Sequence, residues 1–374
     1  MNGPGVPQQR DLALDGIRGV AILLVMFFHL IGFCDAGGAP AGSGLMERAL
    51  RIAAGEGWAG VDLFFVLSGF LITGILIRTK NERLYFKNFY ARRSLRIFPL
   101  YYLFVLVMFV ILPRALPSDP HFKDLPSNQF WSWTYLVNFQ IFLSGKWVSQ
   151  GHIWSLAIEE QFYWMWPLVI YFLSLKQLRS AACAILISQT LIRALLLHEG
   201  FAADVVPVFT FARLDALMAG ALIAIVVMGG ASRDLLKRMA VGLFLSGAAI
   251  RIIAMRSHLP YSYVRYDFYI TAYALLFAGF VALSRSLPAE STYNRALGNR
   301  LLVFFGKYSY GIYLIHHPIG VAVCEHLDLS HHCAIMGWII AAGAGSALIL
   351  PIAWLVFHLY EMPFLKLKER FSQA

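Results

Sequence analysis

The feature that most constrains this chain is a series of apolar runs long enough to cross a bilayer as helices. A helical span needs about 20 consecutive apolar residues. Ten segments read as such spans: 14–34, 58–77, 97–113, 152–174, 180–198, 208–228, 239–256, 267–284, 301–324 and 335–359. Only 14% of the 374 residues are charged, where soluble domains carry about 25%, so a water-facing surface cannot be built over most of the chain. The expectation is an all-α polytopic membrane protein, a single transmembrane domain over 1–374 with no fused soluble domain. The longest polar connection is 114–151. No repeat with a period of about 20–50 residues is visible.

The net charge of +10 invites a nucleic-acid reading, but the distribution of the charge argues otherwise. With the N-terminus placed in the cytoplasm, 19 Lys and Arg fall inside, seven fall outside and five lie within spans. The largest inside group is Arg78, Lys80, Arg83, Lys87, Arg92, Arg93 and Arg96. This asymmetry follows the positive-inside rule and predicts both termini in the cytoplasm. The basic excess is thus a topology signal, and also an attraction for anionic lipid or an anionic cytosolic ligand. No nucleic-acid partner is expected. The expected location is a bacterial inner membrane.

The first apolar run is a poor signal peptide, because Asp15 and Arg18 interrupt its start and no small-residue cleavage site follows. The four cysteines (Cys34, Cys183, Cys324 and Cys333) lack metal-ligand spacing. Cys324 and Cys333 flank one short external loop, and their pairing is left open. His326, His331 and His332 lie nearby, but a solvated loop is the expectation and no metal is assigned.

Within the first span, "RGVAILLVMFFH" sets Arg18 and His29 eleven residues apart. At 100° per residue, eleven steps turn about 20° past three full turns, so both side chains share one face, about 16 Å apart along the axis. Asp15 lies three residues before Arg18, within pairing reach. Ionisable groups at such depth are costly and face a protein interior or a wet cavity. Other spans add more. "GVDLFFVLSGFLIT" brings Asp62 and Ser68. "HIWSLAIEEQFYWMWP" brings His152, Ser155, Glu159, Glu160 and Tyr163, with Ser155, Glu159 and Tyr163 on one face and Glu160 on a different face from Glu159. "FARLDALMAGALIA" brings Arg213 and Asp215, "KYSYGIYLIHHP" brings Tyr310, Tyr313, His316 and His317, and "YEMPF" ends in the bundle with Glu361. A catalytic or transport pathway uses such groups; a purely structural bundle has little need of them.

Seven motifs in order, "LDGIRGVAILLVMFFH", "GVDLFFVLSGFLI", "FYARRSLRIFPLYY", "WSLAIEEQFYWMWP", "FARLDALMAGALIA", "SYGIYLIHHP" and "YEMPF", resemble the acyltransferase-3 family of integral membrane acyltransferases. The resemblance covers about 11–366. It implies about ten transmembrane helices and transfer of an acyl group, most often acetyl, from cytosolic acyl-CoA to a hydroxyl. The implied acceptors are cell-surface or exported carbohydrates such as O-antigen, exopolysaccharide, peptidoglycan or Nod factor, or macrolide antibiotics. The family's Arg–ten residues–His motif matches Arg18 and His29. Its Arg-x-x-Arg motif, associated with acyl-CoA, matches Arg93 and Arg96. Larger members carry a fused esterase-like domain, which this chain is expected to lack. His317 stands where another aromatic is the family expectation, so His316 carries more weight.

Acyl transfer from a thioester to a hydroxyl needs a base, a positioned carbonyl and donors for the oxyanion. His29 suits the base, since imidazole titrates near neutral pH. Glu159, Glu160 or Asp15 is a candidate to orient it, and Tyr163, Tyr310 or Ser68 to donate to the oxyanion. Arg93 and Arg96, with Arg92 and Lys87 nearby, suit the phosphates of CoA, with Ser68 grouped on the donor side and Arg18 pointing the donor tail towards His29. Trp131, Trp133 and Trp147, with Asn138 and Gln140, either contact carbohydrate or form an interfacial belt. Tyr310 and His316 join Trp131 and Trp133 as acceptor-side candidates. Direct transfer is favoured over an acyl-enzyme, because no nucleophile–base pair adjoins His29. Two other readings stand: the same chemistry on a small molecule such as a macrolide, and a transporter or flippase with a proton relay through Asp15, His29 and Glu159. Acetyl-CoA, a hydroxyl acceptor and the lipid bilayer are the expected partners, and homo-oligomerisation is left open.

Overall fold

The computed structural model describes residues 11–34, 44–119, 122, 125–258, 260, 264–327 and 334–371. Among the described residues the regular structure is helical, with no strand. The helices are α1 (Leu12–Cys34), α2 (Leu45–Gly55), α3 (Gly60–Thr79), α4 (Tyr85–Leu106), α5 (Leu125–Trp133), α6 (Val137–Ser144), α7 (Trp154–Phe172), α8 (Leu175–His198), α9 (Asp215–Met228), α10 (Arg233–Arg256), α11 (Tyr269–Ser286), α12 (Thr292–Leu297), α13 (Arg300–His326), α14 (Ala334–Val356) and α15 (Met362–Leu367). Among the described residues, seven stretches are long and apolar enough to cross a membrane: Leu12–Gly32, Leu45–Thr79, Tyr85–Ala115, Leu175–His198, Arg233–Arg256, Tyr266–Ser286 and Ile335–Phe371. The other three expected segments are also helical, in α7, α9 and α13.

Three expectations about local structure need correction. The segment 208–228 is helical only from Asp215; before it, Val206–Val208 and Thr210–Ala212 form two 3-10 turns. Gln189 of α8 accepts from the Leu214 amide at 3.0 Å, which satisfies one of the orphan donors at the start of α9. The helix assigned to 97–113 begins at Tyr85, so the basic stretch before Ile97 is its first three turns. The connection 114–151 is not a plain loop. It holds α5 and α6, and its amides are internal: Asn138 donates to Val208 O at 3.2 Å and Thr210 Oγ1 at 2.8 Å, and accepts from Gln161 at 3.0 Å.

Packing is closest where glycine lets two backbones touch. α1 runs along α13, α3 along α9, and α10 along α11. A Cβ on Gly306 would lie 1.9 Å from Asp15 O, and one on Gly220 would lie 1.9 Å from Val66 O. In lipid there is no hydrophobic drive between helices, so close backbone approach over small residues does this work. The Gly306 contact presses the first turns of α1, and with them Arg18, onto α13.

A buried ionic cluster ties α3, α8, α9 and α11 together. Arg193 pairs with Asp215 at 2.9 Å and with Asp267 at 3.2 Å, and donates to Thr271 Oγ1 at 2.6 Å. Arg213 pairs with Asp62 at 2.7 Å. Charges this deep persist only when paired.

Side-chain ties identify two ends of the bundle. At one, Arg285 meets Asp11, Lys80 donates to Leu173 O and Arg92 donates to Phe371 O. At the other, Arg251 meets Glu56, and the loop around Asp204 borders Trp147. The first holds the basic half of α4 and is called the basic end; the second is the far end. Cys324, towards the far end of α13, is disulfide-bonded; Cys333, His331 and His332 lie outside the described residues.

Candidate active site

Two cavities approach each other inside the bundle. The first, at the basic end, has a volume of about 100 Å³ and is lined by Arg18 of α1, Ser68 of α3, Arg93 and Arg96 of α4, Glu159, Glu160 and Tyr163 of α7, and Tyr310 of α13. The second, at the far end, has a volume of about 500 Å³ and includes His29, His152, His317, Trp58, Trp147, Trp154 and Arg213 in its walls. Val61 and Tyr313 line both. They form the septum between them.

Tertiary contact decides which arginines reach the first cavity: Arg96 is three residues from Arg93 and four from Arg92, so helical spacing alone groups all three. Arg93 and Arg96 line the cavity, and Arg92 donates instead to Phe371 O at 3.1 Å. Arg93 lies over the Tyr163 ring, 5.3 Å from its centroid. Arg18 enters from α1, held by Asp15 at 2.9 Å; Asp15 itself is behind it. Ser68 donates to Glu159 Oε1 at 2.6 Å, and the Tyr163 hydroxyl donates to Ser68 Oγ at 3.0 Å and Glu159 Oε2 at 3.3 Å. This acid–hydroxyl–phenol triangle fixes one wall. Glu160, expected on another face from Glu159, also lines the cavity, which wraps around α7 widely enough to touch both. Its Oε1 is buried and has no hydrogen-bond partner among the described residues.

His29 faces the second cavity, and its tautomer follows from its neighbours. His316 is fully buried. Its Nδ1 lies 2.6 Å from Tyr313 O and 3.2 Å from Ile312 O. Carbonyls only accept, so Nδ1 of neutral His316 carries the proton and its Nε2 is an acceptor. That Nε2 lies 3.1 Å from His29 Nδ1, which is also 3.1 Å from Val25 O. Facing two acceptors, His29 Nδ1 must be the donor. The basic lone pair of His29 therefore resides on Nε2. His152 and His317 complete the group, their rings stacked 4.6 Å apart, and His317 stands 5.5 Å from His29.

The sequence-derived residues thus divide. Arg18, Arg93, Arg96, Ser68, Glu159, Glu160, Tyr163 and Tyr310 meet at the first cavity. His29 borders the second and His316 stands behind it. Glu159 is hydrogen-bonded on the first-cavity side, so it does not orient His29, nor does Asp15, which holds Arg18; His316 occupies that role. Tyr310 donates to Ile97 O at 2.8 Å. Trp131 and Trp133 line neither cavity: Trp133 stacks on Tyr102 and bonds Gln129, and Trp131 packs against the core. Trp147, from the same segment, does line the second cavity. Sequence reasoning undervalued His152, His317 and Tyr313. The paired "HH" and the "HIW" ahead of α7 were the available signals, but only tertiary contact brings them beside His29. Among the described residues no group of three His, Cys, Asp or Glu has a geometry for holding a metal.

Comparison with known proteins gives the family. The family described as "Acyltransferase domain" matches residues 11–358. "O-acetyltransferase OatA" of Staphylococcus aureus (strain NCTC 8325 / PS 47) is 29% identical over 330 residues, covering 83% of this chain and 50% of that protein. "Peptidoglycan O-acetyltransferase OatA" of Listeria monocytogenes is 28% identical over 336 residues, covering 85% of this chain and 50% of that protein. The chain spans about half the length of the curated relatives it matches. No solved structure matches it.

Proposed function

The chain belongs to the acyltransferase family, and from that premise we propose that it is a membrane O-acyltransferase moving an acetyl group from acyl-CoA at the basic end to a carbohydrate hydroxyl at the far end. The observation that carries this reading is His29, a half-buried imidazole in the wall of the far-end cavity, which shares Val61 and Tyr313 with the cavity at the basic end.

On the donor side, Arg93 and Arg96 offer guanidinium groups to the phosphates of CoA. Positive residues gather at cytoplasmic ends of spans, which supports the basic end as the cytosolic one, where acyl-CoA is found. Arg18, about 16 Å from His29 along α1, lies between phosphates and base. The pantetheine arm runs from the arginines past Val61 and Tyr313 and delivers the thioester carbonyl to His29.

On the acceptor side, a hydroxyl donates to His29 Nε2. As its oxygen attacks the carbonyl carbon, the proton passes to Nε2. The tetrahedral intermediate collapses with cleavage of the C–S bond, and the sulfur takes the proton back from His29, releasing CoA thiol and the O-acyl ester. His316, accepting from His29 Nδ1, holds the imidazole in the reactive tautomer throughout. The names of the relatives favour peptidoglycan as the acceptor.

The test is release of CoA thiol by purified protein given radiolabelled acetyl-CoA and a glycan acceptor. The wild type transfers label, His29→Ala binds acetyl-CoA without transfer, and Arg93→Ala needs more donor. A wild type that neither binds nor consumes acetyl-CoA would overturn the donor assignment.

A further inference from the structure

The far-end cavity carries more chemistry than proton transfer needs. Trp147 sits at its mouth, 47% exposed. The ring packs on Gly151, where a Cβ would stand 3.2 Å from the indole; the glycine allows that close approach. Trp58 and Trp154 supply further aromatic wall. Polar groups face the same space. Asp204 offers a carboxylate, and His152 offers a nitrogen. His152 is 5% exposed. Its Nε2 is committed to Leu314 O at 3.1 Å, and its Nδ1, an acceptor in that tautomer, is buried without a hydrogen-bond partner among the described residues. A buried acceptor left unmade costs free energy that a ligand hydroxyl would recover. Flat indoles take the C–H face of a sugar ring, and unpaired acceptors take its hydroxyls. A volume of about 500 Å³ lies within the range of small-molecule sites, roughly 300–1,000 Å³.

We propose that this cavity is a glycan subsite: a sugar ring lies on Trp147, one hydroxyl donates to His152 Nδ1, and the hydroxyl to be acylated donates to His29 Nε2. The proposal rests on the acyl-transfer reading for the role of His29. His317, 5.5 Å from His29 and 4.6 Å from His152 between ring centroids, spaces the two imidazoles within the reach of one or two sugar rings. The exposed Trp147 leaves the mouth open, so a polysaccharide can continue outwards. A fully enclosed small molecule would not need an aromatic platform half in water.

The experiment is calorimetric binding of chitotetraose, a β-1,4-linked N-acetylglucosamine tetramer, to the full chain in detergent. The wild type binds, Trp147→Ala binds about tenfold more weakly, and Trp147→Phe, which keeps a ring, recovers most of the loss. His152→Phe, which keeps the stack on His317 but removes the acceptor, loses about fivefold. A wild type that does not bind, or a Trp147→Ala variant that binds like wild type with an unchanged melting temperature, overturns the subsite. Acetyl-CoA consumption is measured on the same samples. Binding through Trp147 without any consumption upholds the glycan site and refutes the transfer reading.

Discussion

The tautomer assignment at His29 makes a quantitative prediction. Two histidines are 3.1 Å apart, and a sequence motif alone does not say which is the base. The hydrogen bonds do. His316 Nδ1 faces two carbonyls, so His316 only accepts from His29 and holds it in place. His316→Leu removes that acceptor, but His29 Nδ1 retains Val25 O at 3.1 Å, so the tautomer survives. The loss is then one neutral hydrogen bond, about 1 kcal/mol, or about fivefold in kcat. His29→Ala removes the base itself, and general-base catalysis contributes roughly 10²–10⁴-fold. The two variants are therefore separated by at least about twentyfold. His316→Gln, whose side-chain oxygen can accept the same bond, restores most of the rate. The assay is initial-rate release of CoA thiol with saturating donor and acceptor, in samples matched for melting temperature. A His316→Leu variant as slow as His29→Ala would refute the reasoning and move the proton path to His316. So would a His29→Ala variant within tenfold of wild type.

The basic-end cavity separates adjacent arginines. Arg93→Ala raises the KM for acetyl-CoA about tenfold or more, the scale of a charge-assisted bond, whereas Arg92→Ala, whose side chain serves Phe371 O, leaves that KM within about twofold; steady-state kinetics on both variants decides. Arg193→Leu strips Asp215 and Asp267 of their shared cation, which lies fully buried. It destabilises the protein by about 3–5 kcal/mol, seen as a lowered thermal midpoint in detergent. Gly306→Val forces a side chain into backbone at Asp15, since even a Cβ would stand 1.9 Å from its carbonyl oxygen. Overpacking of about 1–3 kcal/mol or more follows, with Arg18 displaced and the donor KM raised in the fraction that folds; an unchanged melting temperature would contradict the close α1–α13 packing.

How much of this was legible in the sequence depends on range. The apolar period fixes helices without any tertiary information, so each of the ten expected segments contains a helix. It misjudges 208–214, because apolarity does not distinguish a helix from 3-10 turns packed in a core around Pro207. The Arg18–His29 spacing is a local fact, and the two residues do project along one helix into the interior. Arg92, grouped with Arg93 and Arg96 by sequence because it is four residues from Arg96, is set apart only by its contact with Phe371 O. What the sequence hides is cross-helix: Glu159 is 91 residues from its partner Ser68, and His316 is 287 residues from His29. No periodicity signals such pairs. Trp131, Trp133 and Trp147 look alike in one polar-to-aromatic segment, but α5 turns the first two into the protein and only the loop before α7 delivers the third to a cavity.

On the proposed reading, donor and acceptor lie on opposite sides of a bilayer that neither CoA nor a polysaccharide crosses readily, and two cavities sharing Val61 and Tyr313 would shorten that barrier to one thickness of side chain. Arg18 and His29 stand on one face of α1, one bordering each cavity, and only Val61 and Tyr313 are common to both. Tyr313 is held by two bonds, one from Ser155 at 2.5 Å and one to His152 O at 2.8 Å, so the septum is a built element and not a gap in packing. Its bond to the backbone of His152 links it to the residue proposed to bind the glycan. A donor arm that threads past Tyr313 must press on the same turn that carries His152, and a sugar seated there must press back. Occupancy of one cavity is therefore expected to alter affinity in the other by the same factor in both directions. Chitotetraose affinity measured with and without a non-hydrolysable acetyl-CoA analogue, and the reverse titration, reads that factor. Equal affinities in all four conditions would mean that Tyr313 is a passive wall.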